Sequence, residues 1–214
     1  MTTLSTALTA LTRLREGNTR YASNVRSLES MISHTRRGEH AEGQTPTAII
    51  LGCSDSRVPA EVVFDQGLGD LFVIRVAGNI VAPSQIGSVE FAAARFGTRL
   101  VVVMGHSGCG AISATIEDMR SPSKQSKNIR SIVDRVRPSV QPLLDIDMPV
   151  LDHATLVHKA VRANVRASCN QLRHGSELIE QLAAEEGLLV VGAEYSLETG
   201  LVEFFEGVPR DSQS

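Results

Sequence analysis

The sequence is short of several features that mark particular classes of protein. Its 214 residues include no tryptophan and only three cysteines, and its formal net charge is -3. An odd number of cysteines argues against a disulfide framework, which a chain long enough to bury a good core does not need. The absence of a basic excess gives no electrostatic footprint for nucleic acid. No apolar run approaches the roughly 20 residues of a membrane helix, so neither nucleic acid nor membrane is an expected partner.

The first residues of the chain also lack the pattern of a secretion signal. The segment Met1 to Ala10 has no basic start, and its leucines alternate with threonine, serine and alanine. We therefore expect a cytoplasmic protein whose cysteines are reduced, and metal binding or burial is the better explanation of those cysteines.

Four short, continuous apolar runs indicate strands that are buried on both faces. Helical patterns over 84–96 and 154–172 lie between them, and such alternation predicts an α/β fold with a mostly parallel central sheet flanked by helices. A weakly alternating segment, Leu201 to Phe205, predicts an added edge strand. The four runs are 48–52, 71–76, 100–105 and 188–192.

The N-terminal part of the chain predicts a helix that covers another surface. Leucines from Leu4 to Leu14 recur at steps of three and four residues, which is typical of an amphipathic helix, and the helix is predicted to end near Gly17 and Asn18. We predict one domain, 1–214, with an N-terminal helical arm and polar loop over 1–45 and the α/β core over 46–214.

Two clusters of polar residues follow the first and third predicted strands. Ligands of parallel α/β sheets bind at the carboxyl ends of strands, so these two loops are expected to meet. Together they offer two thiols and one imidazole, from Cys53, Cys109 and His106. Catalytic zinc takes three such protein ligands and keeps a fourth position open, so this donor set predicts a catalytic zinc site. The clusters are Cys53-Ser54-Asp55-Ser56-Arg57 and His106-Ser107-Gly108-Cys109-Gly110.

Other side chains of these loops have more than one interpretation. Asp55 is two residues from the first thiol and could either fill the fourth position on zinc or hold the water that does. Arg57 would face the same side of an extended segment and keep the Asp55 carboxylate ionised. Taken alone, Cys53 could be a packed core thiol, but the joint pattern favours metal. Cys169 lies in an apolar helical segment and is assigned to packing.

The two clusters resemble the signature of the β-class carbonic anhydrases. That family has Cys-x-Asp-Ser-Arg, followed some fifty residues later by His-x-x-Cys, and this chain matches it at both places. The segments 14–21, 75–79 and 87–91 are similar to further blocks of the family, so the resemblance covers nearly the whole chain.

The resemblance implies a function and an assembly. Cys53, His106 and Cys109 would bind one Zn²⁺ per chain, and Asp55 with Arg57 would orient zinc-bound hydroxide for attack on carbon dioxide. The reaction is the reversible hydration of carbon dioxide to bicarbonate. The family also implies a homodimer or homotetramer in which the N-terminal arm wraps over a neighbour.

The resemblance also distinguishes two types of site. Members in which the aspartate closes onto zinc have a tryptophan, an arginine and a tyrosine in an inhibitory bicarbonate pocket. Here Arg75 and Tyr195 occupy two of these positions, but Ile50 stands where the tryptophan would be, which argues against bicarbonate inhibition.

In the open type a glutamine and aromatic residues line the substrate pocket. By this resemblance the pocket residues are Gln44, Phe72, Phe91 and Gly108, with Phe91 where the family would have tyrosine, and this set favours the open, plant-like type. Simpler interpretations remain for three of them: Gln44 as a loop amide, and Phe72 and Phe91 as core residues.

Two other functions stay open from the sequence. Relatives on this fold hydrolyse carbonyl sulfide or carbon disulfide at the same kind of zinc site. A non-catalytic interaction protein, in which Asp55 closes a structural zinc site permanently, is the second alternative.

Overall fold

A computed structural model describes residues 3–25, 43–122, 124–145 and 152–209. The strands are β1 (Ala48–Gly52), β2 (Leu71–Arg75), β3 (Leu100–His106), β4 (Leu189–Tyr195) and β5 (Val202–Glu206). The α-helices are α1 (Thr3–Ala22), α2 (Ala60–Val63), α3 (Pro83–Phe96), α4 (Gly110–Arg120), α5 (Lys127–Asp145), α6 (His153–His174) and α7 (Glu177–Glu185). Within these described ranges, no helix is both long and apolar enough to cross a membrane.

The strands form one sheet in the order β2-β1-β3-β4-β5. The first four strands of that order pair in parallel, and β5 pairs antiparallel with β4 at the edge. Every residue of β1 and β3 is buried, as expected for central strands covered by helices on both faces. The predicted sheet of four parallel strands with an added edge strand is therefore confirmed.

Helices cover both faces of the sheet, and each face has its own apolar cluster. On one face Leu11 and Leu14 of α1 pack with Ile50 and Val102, together with α2. On the other face α3, α6 and α7 pack against the alternate residues of the same strands. A third cluster includes Cys53 and Cys109 with residues of α4, α5 and α6, so the two thiols lie against packed helices.

The N-terminal helix is longer than the sequence predicts. It continues to Ala22, so the predicted end near Gly17 and Asn18 is wrong. Asn18 does not cap the helix: its amide donates to the carbonyls of Val63 and Gly200, at 3.1 and 2.8 Å. Tertiary hydrogen bonds of this kind outweigh the weak local preference of glycine and asparagine for a helix end. Residues 26–42, within the predicted polar loop, lie outside the described ranges.

Gly17 allows α1 to approach the backbone at the end of α2 closely, and this predicts an unusual effect of substitution. A Cβ at Gly17 would overlap the carbonyl oxygen of Phe64, which is a backbone atom that cannot turn away. Gly17→Ala is expected to destabilise the protein by roughly 1–3 kcal/mol in urea unfolding, as overpacking does, although alanine normally improves a helix interior.

The matched control is Gly87→Ala in the interior of α3, where a Cβ would meet nothing within 4 Å. That variant is expected to gain about 0.5–1 kcal/mol. If the two variants shifted stability in the same direction, the close approach at Gly17 would not be what constrains that position.

Candidate metal centre

Two neighbouring strands deliver the metal-binding clusters to one edge of the sheet. β1 and β3 pair in parallel, with Gly52 opposite Met104, so Cys53 and His106 emerge at the same carboxyl edge. Cys109 is the residue that precedes the first turn of α4. The ligand atoms of Cys53, His106 and Cys109 all lie within 4.8 Å of one another, which brings the predicted donors together.

A tight turn lets one loop supply two of these donors. Gly108 lies between His106 and Cys109 with a φ of 61°, in the left-handed region that favours glycine. The Ser107 hydroxyl accepts a hydrogen bond from the Leu197 N–H at 2.9 Å, which ties this loop to the segment after β4. A residue with a side chain at position 108 would therefore strain the turn that aims the imidazole and the thiol.

The hydrogen bonding of His106 leaves one ring nitrogen for a metal. Its Nδ1 lies 3.0 Å from the Ser107 carbonyl oxygen, which can only accept, so Nδ1 carries the proton. The side chain is completely buried, and its Nε2 has no hydrogen-bond partner. A buried nitrogen lone pair without a partner is costly unless a ligand uses it, and a histidine that donates its other nitrogen to a carbonyl is the usual metal ligand.

The two thiols influence each other strongly. The hydrogen bond from Cys109 lowers the pKa of the Cys53 thiol below its ordinary value, and the same contact, with burial, raises the pKa of Cys109. Burial lowers the pKa of His106, but the interaction with the neighbouring Cys53 sulfur and its negative charge outweighs burial, and the net shift is upward. The cluster thus favours a thiolate at Cys53, whose negative charge a cation would stabilise.

Asp55 and Arg57 form a bidentate pair beside the cluster. Arg57 donates from Nε to Oδ1 at 2.9 Å and from Nη2 to Oδ2 at 2.7 Å, and its backbone N–H donates to Oδ1. The Arg57 hydrogen bonds hold the pKa of the Asp55 carboxyl well below its usual range. The Oδ2 atom lies 3.9 Å from His106 Nε2, so an ionised carboxylate faces the donor set.

These residues fit a zinc ion. Zinc prefers thiolate sulfur and imidazole nitrogen, and three such ligands are the usual complement of a catalytic site. All three donors are buried, and a metal ion would give the unpartnered Nε2 of His106 a partner. Among the described residues, this is the one group of three or more metal-binding side chains.

Two supporting contacts were not predicted from the sequence. Arg75 donates from Nε to the Cys53 carbonyl at 3.1 Å and from Nη2 to the Asp55 carbonyl at 2.7 Å, so it braces the first loop. The Gly78 N–H donates to Cys53 Sγ at 3.4 Å. The position of Arg75 at the end of β2, beside the end of β1, was the signal that could have identified it.

Gly108 lies in the loop between His106 and Cys109, but the other three predicted pocket residues lie elsewhere on the chain. Gln44 is exposed and precedes β1, so it lies at the amino edge of the sheet, opposite the metal-binding cluster. Phe72 of β2 pairs with Ile49 of β1, and its ring lies next to that of Phe91, with centroids 6.2 Å apart. The length of β1, about 16 Å, separates Gln44 from Cys53. A single chain does not bring these three residues to the cluster, and their pocket role stays a prediction.

The three positions that would form the inhibitory bicarbonate pocket of closed-type members are occupied here by residues with contacts inside the fold. Ile50 is completely buried against α1. The Tyr195 hydroxyl lies 3.1 Å from that of Tyr21, and burial, together with this hydrogen bond, raises the pKa of Tyr195 to about 12. Because Arg75 braces the metal-binding loop as well, Ile50, Tyr195 and Arg75 all have structural roles in this chain.

Comparison with known proteins agrees with this geometry. The protein family described as carbonic anhydrase matches residues 48–202. This chain belongs to the β-class carbonic anhydrases. It is 36% identical over 187 residues to carbonic anhydrase 2 of Mycobacterium tuberculosis, covering 87% of each chain. It is also 36% identical over 199 residues to the carbonic anhydrase of Mycolicibacterium smegmatis, covering 93% of each.

Solved β-carbonic anhydrases share the fold of this family member. The structure of the β-carbonic anhydrase CcaA superimposes with a TM-score of 0.73 at 26% identity, covering 94% of this chain and 93% of that one. A tetrameric β-carbonic anhydrase from Sordaria macrospora gives a TM-score of 0.69 at 27% identity, covering 79% and 85%. The resemblance drawn from the two sequence clusters is thus confirmed.

Proposed function

We propose that this chain catalyses the reversible hydration of carbon dioxide to bicarbonate and a proton at one zinc ion per chain. The observation that carries the proposal is the buried cluster of Cys53, His106 and Cys109 beside an arginine-held carboxylate. Membership of the carbonic anhydrase family supports the same reaction.

The residues at this site have separate roles in the reaction. Cys53, His106 and Cys109 would hold the zinc, which when bound acts as a Lewis acid and lowers the pKa of a water molecule to about 7. Asp55, kept ionised by Arg57, would accept a hydrogen bond from the attacking water. This contact would orient a lone pair of the water oxygen toward the carbon of carbon dioxide. The Ser107 carbonyl keeps the imidazole in the orientation that presents Nε2.

We assign the site to the open type, in which Asp55 stays on Arg57. The bidentate contact between these side chains, with the backbone N–H of Arg57 as a third donor, supports this assignment. Ile50 supports it as well, because its apolar side chain offers bicarbonate no hydrogen bond and lies buried under α1.

Stopped-flow hydration of carbon dioxide by the zinc-loaded protein, from about pH 6.5 to 9 with and without added bicarbonate, tests the function, since ionisation of the zinc-activated water should control the rate near neutrality. We expect activity near pH 7 that bicarbonate does not inhibit steeply. Activity only at high pH would contradict the open type. Turnover of carbonyl sulfide or carbon disulfide without carbon dioxide hydration, or no turnover at all, would contradict the function itself.

We further propose that the protein works as a homodimer or homotetramer whose second copy supplies Gln44, Phe72 and Phe91 to the pocket. Within one chain these residues lie away from the cluster, and Phe91 is 54% exposed at the β2 edge of the sheet. The tetrameric relatives from Sordaria macrospora support such an assembly.

Sedimentation velocity combined with subunit mixing tests this assembly. Each of the variants Cys53→Ala and Gln44→Ala is expected to have low activity alone. Because one type of site in the mixed dimer keeps both residues, their mixture is expected to recover part of the wild-type rate. A monomer in sedimentation, or a mixture no more active than the average of its components, would contradict the shared pocket.

We retain two broader proposals from the sequence. The chain is proposed to form one domain, with the arm and loop over 1–45 and the core over 46–214. A cytoplasmic location is supported by the three unpaired cysteines, because thiols persist in a reducing compartment. Cell fractionation followed by immunodetection would check the location directly.

A further inference from the structure

We infer that Asn164 and Ser168 of α6 are positioning residues for the metal centre. They hold the turn Ala77–Asn79 in the shape that directs the Gly78 N–H at Cys53 Sγ. The inference rests on the proposed zinc site, but it concerns residues whose hydrogen bonds go to this turn.

The turn that presents this N–H has an unfavourable backbone. Gly78 has a φ of 70° and the next residue, Asn79, has a φ of 42°, so two successive residues lie in the left-handed region. Asparagine tolerates this region better than most residues, but the conformation still persists only where neighbouring structure holds it. The Asn79 N–H donates to the Val76 carbonyl at 3.1 Å, a single local bond for a short turn.

Two side chains of α6 provide the additional support. Asn164 Nδ2 donates to the Gly78 carbonyl at 2.8 Å, and Ser168 Oγ donates to the Asn79 carbonyl at 3.1 Å. Asn164 and Ser168 are four residues apart and therefore share one face of the helix. Both are 2% exposed, so these hydrogen bonds form away from water. The carbonyls of two consecutive residues, Gly78 and Asn79, thus accept hydrogen bonds from side chains that are four residues apart on α6.

The helix itself is fixed against the strand that carries His106. A Cβ at Gly105 would overlap the side chains of Val161 and Val165, so α6 lies against β3 one residue before His106. The same helix therefore sets the position of the turn relative to the strand that carries His106, and through the turn it reaches Cys53. A rigid element shared by two ligands is what precise metal geometry requires.

The bond at Cys53 gives this arrangement a chemical consequence. An N–H that donates to sulfur stabilises the thiolate and withdraws charge from it, so it alters the strength of any bond from that sulfur to a metal. Both hydrogen bonds involve the backbone of Gly78: its N–H donates to Cys53, and its carbonyl accepts from Asn164. Loss of the Asn164 contact would release the turn and weaken the N–H contact to sulfur.

The test compares Asn164→Leu and Ser168→Ala with Cys169→Ala in the zinc-loaded and cobalt-substituted protein. Leucine has the branched shape of asparagine, with two somewhat larger methyl groups in place of the amide oxygen and nitrogen, and it removes the hydrogen bonding. Cys169 is a matched control because it is fully buried on the same helix, next to Ser168, and packs against Gly192 rather than the turn. Circular dichroism and unfolding midpoints identify any variant that loses the fold.

Zinc affinity from competition with a chromophoric chelator is the first measurement. Asn164→Leu is expected to bind zinc about 10-fold more weakly, within the range for residues that support metal ligands. Ser168→Ala is expected to change the affinity in the same direction by less, and Cys169→Ala is expected to leave it unchanged.

The sulfur-to-cobalt charge-transfer band is the second measurement, and a purely structural role would not move it. Loss of an N–H donor raises the energy of the sulfur lone pair, so the band is expected to shift to longer wavelength in Asn164→Leu and not in Cys169→Ala. Wild-type affinity and an unshifted band in Asn164→Leu would overturn the inference alone. If the wild-type protein bound no zinc, the proposed function and the inference would both fail.

Discussion

Replacing Cys109 with alanine is expected to abolish zinc binding and to lower carbon dioxide hydration by at least roughly 1000-fold, because the Lewis acid contributes several kcal/mol. Only Cys53 and His106 would remain of the buried donor cluster. Two ligands bind zinc too weakly to retain it during desalting, since protein zinc sites use three or four protein donors. Metal analysis after desalting, together with stopped-flow kinetics, measures both effects in one preparation.

The third cysteine provides the control for this prediction. Cys169 is as buried as Cys109, but it packs in α6 among apolar residues, and burial raises the pKa of its thiol to about 12. Cys169→Ala is therefore expected to keep one zinc per chain and near wild-type activity. Equal loss of zinc in the two variants would mean that the cluster is not the metal site.

Replacing Asp55 with asparagine is expected to lower activity by about 100-fold or more while zinc stays bound, as expected for loss of a group that handles a proton. The amide has the size of the carboxylate but offers one acceptor oxygen where the carboxylate offers two. The bidentate contact with Arg57 Nε and Nη2 would therefore be lost, and the group would carry no negative charge. Metal analysis with kinetics at one pH separates this effect from metal loss.

A second aspartate–arginine pair supplies the control for Asp55. Asp70 accepts from Arg13 at 2.8 Å and lies just before β2, at the amino edge of the sheet and away from the cluster. Asp70→Asn removes a carboxylate from an ion pair in the same way, and its activity is expected to stay close to that of the wild type. A fully active, zinc-loaded Asp55→Asn protein would show that the carboxylate has no part in the reaction.

The order of elements was predictable because it depends on short-range patterns. The buried runs from Ala48 to Gly52 and from Leu100 to Gly105 contain apolar residues that favour strands, and the structure extends the second by one residue, to His106. Helix α5 was not predicted, since Pro138 and Pro142 lie within it and proline opposes a helix interior. Its packing with α4 and α6 through Val136 and Val140 outweighs that local cost.

The sequence by itself determined the candidate metal-binding donors and the loops that carry them. Cys53 and Asp55 belong to one cluster, and His106 and Cys109 belong to the other, so the spacing within each cluster shows which residues can act together. Which strands carry the clusters follows from the apolar runs before them. The rule that ligands bind at the carboxyl ends of parallel strands then brings the two loops together.

Only the tertiary structure decided what holds the donors in place. Asn164 reaches Gly78 across 86 positions of the chain, and Asn18 accepts a hydrogen bond from the Val202 N–H across 184. Local patterns cannot reveal such contacts, because each depends on how whole helices pack against the sheet rather than on neighbouring residues. For that reason the sequence identified the candidate metal ligands, while the residues that support them became visible only when α1 and α6 were seen against the strands.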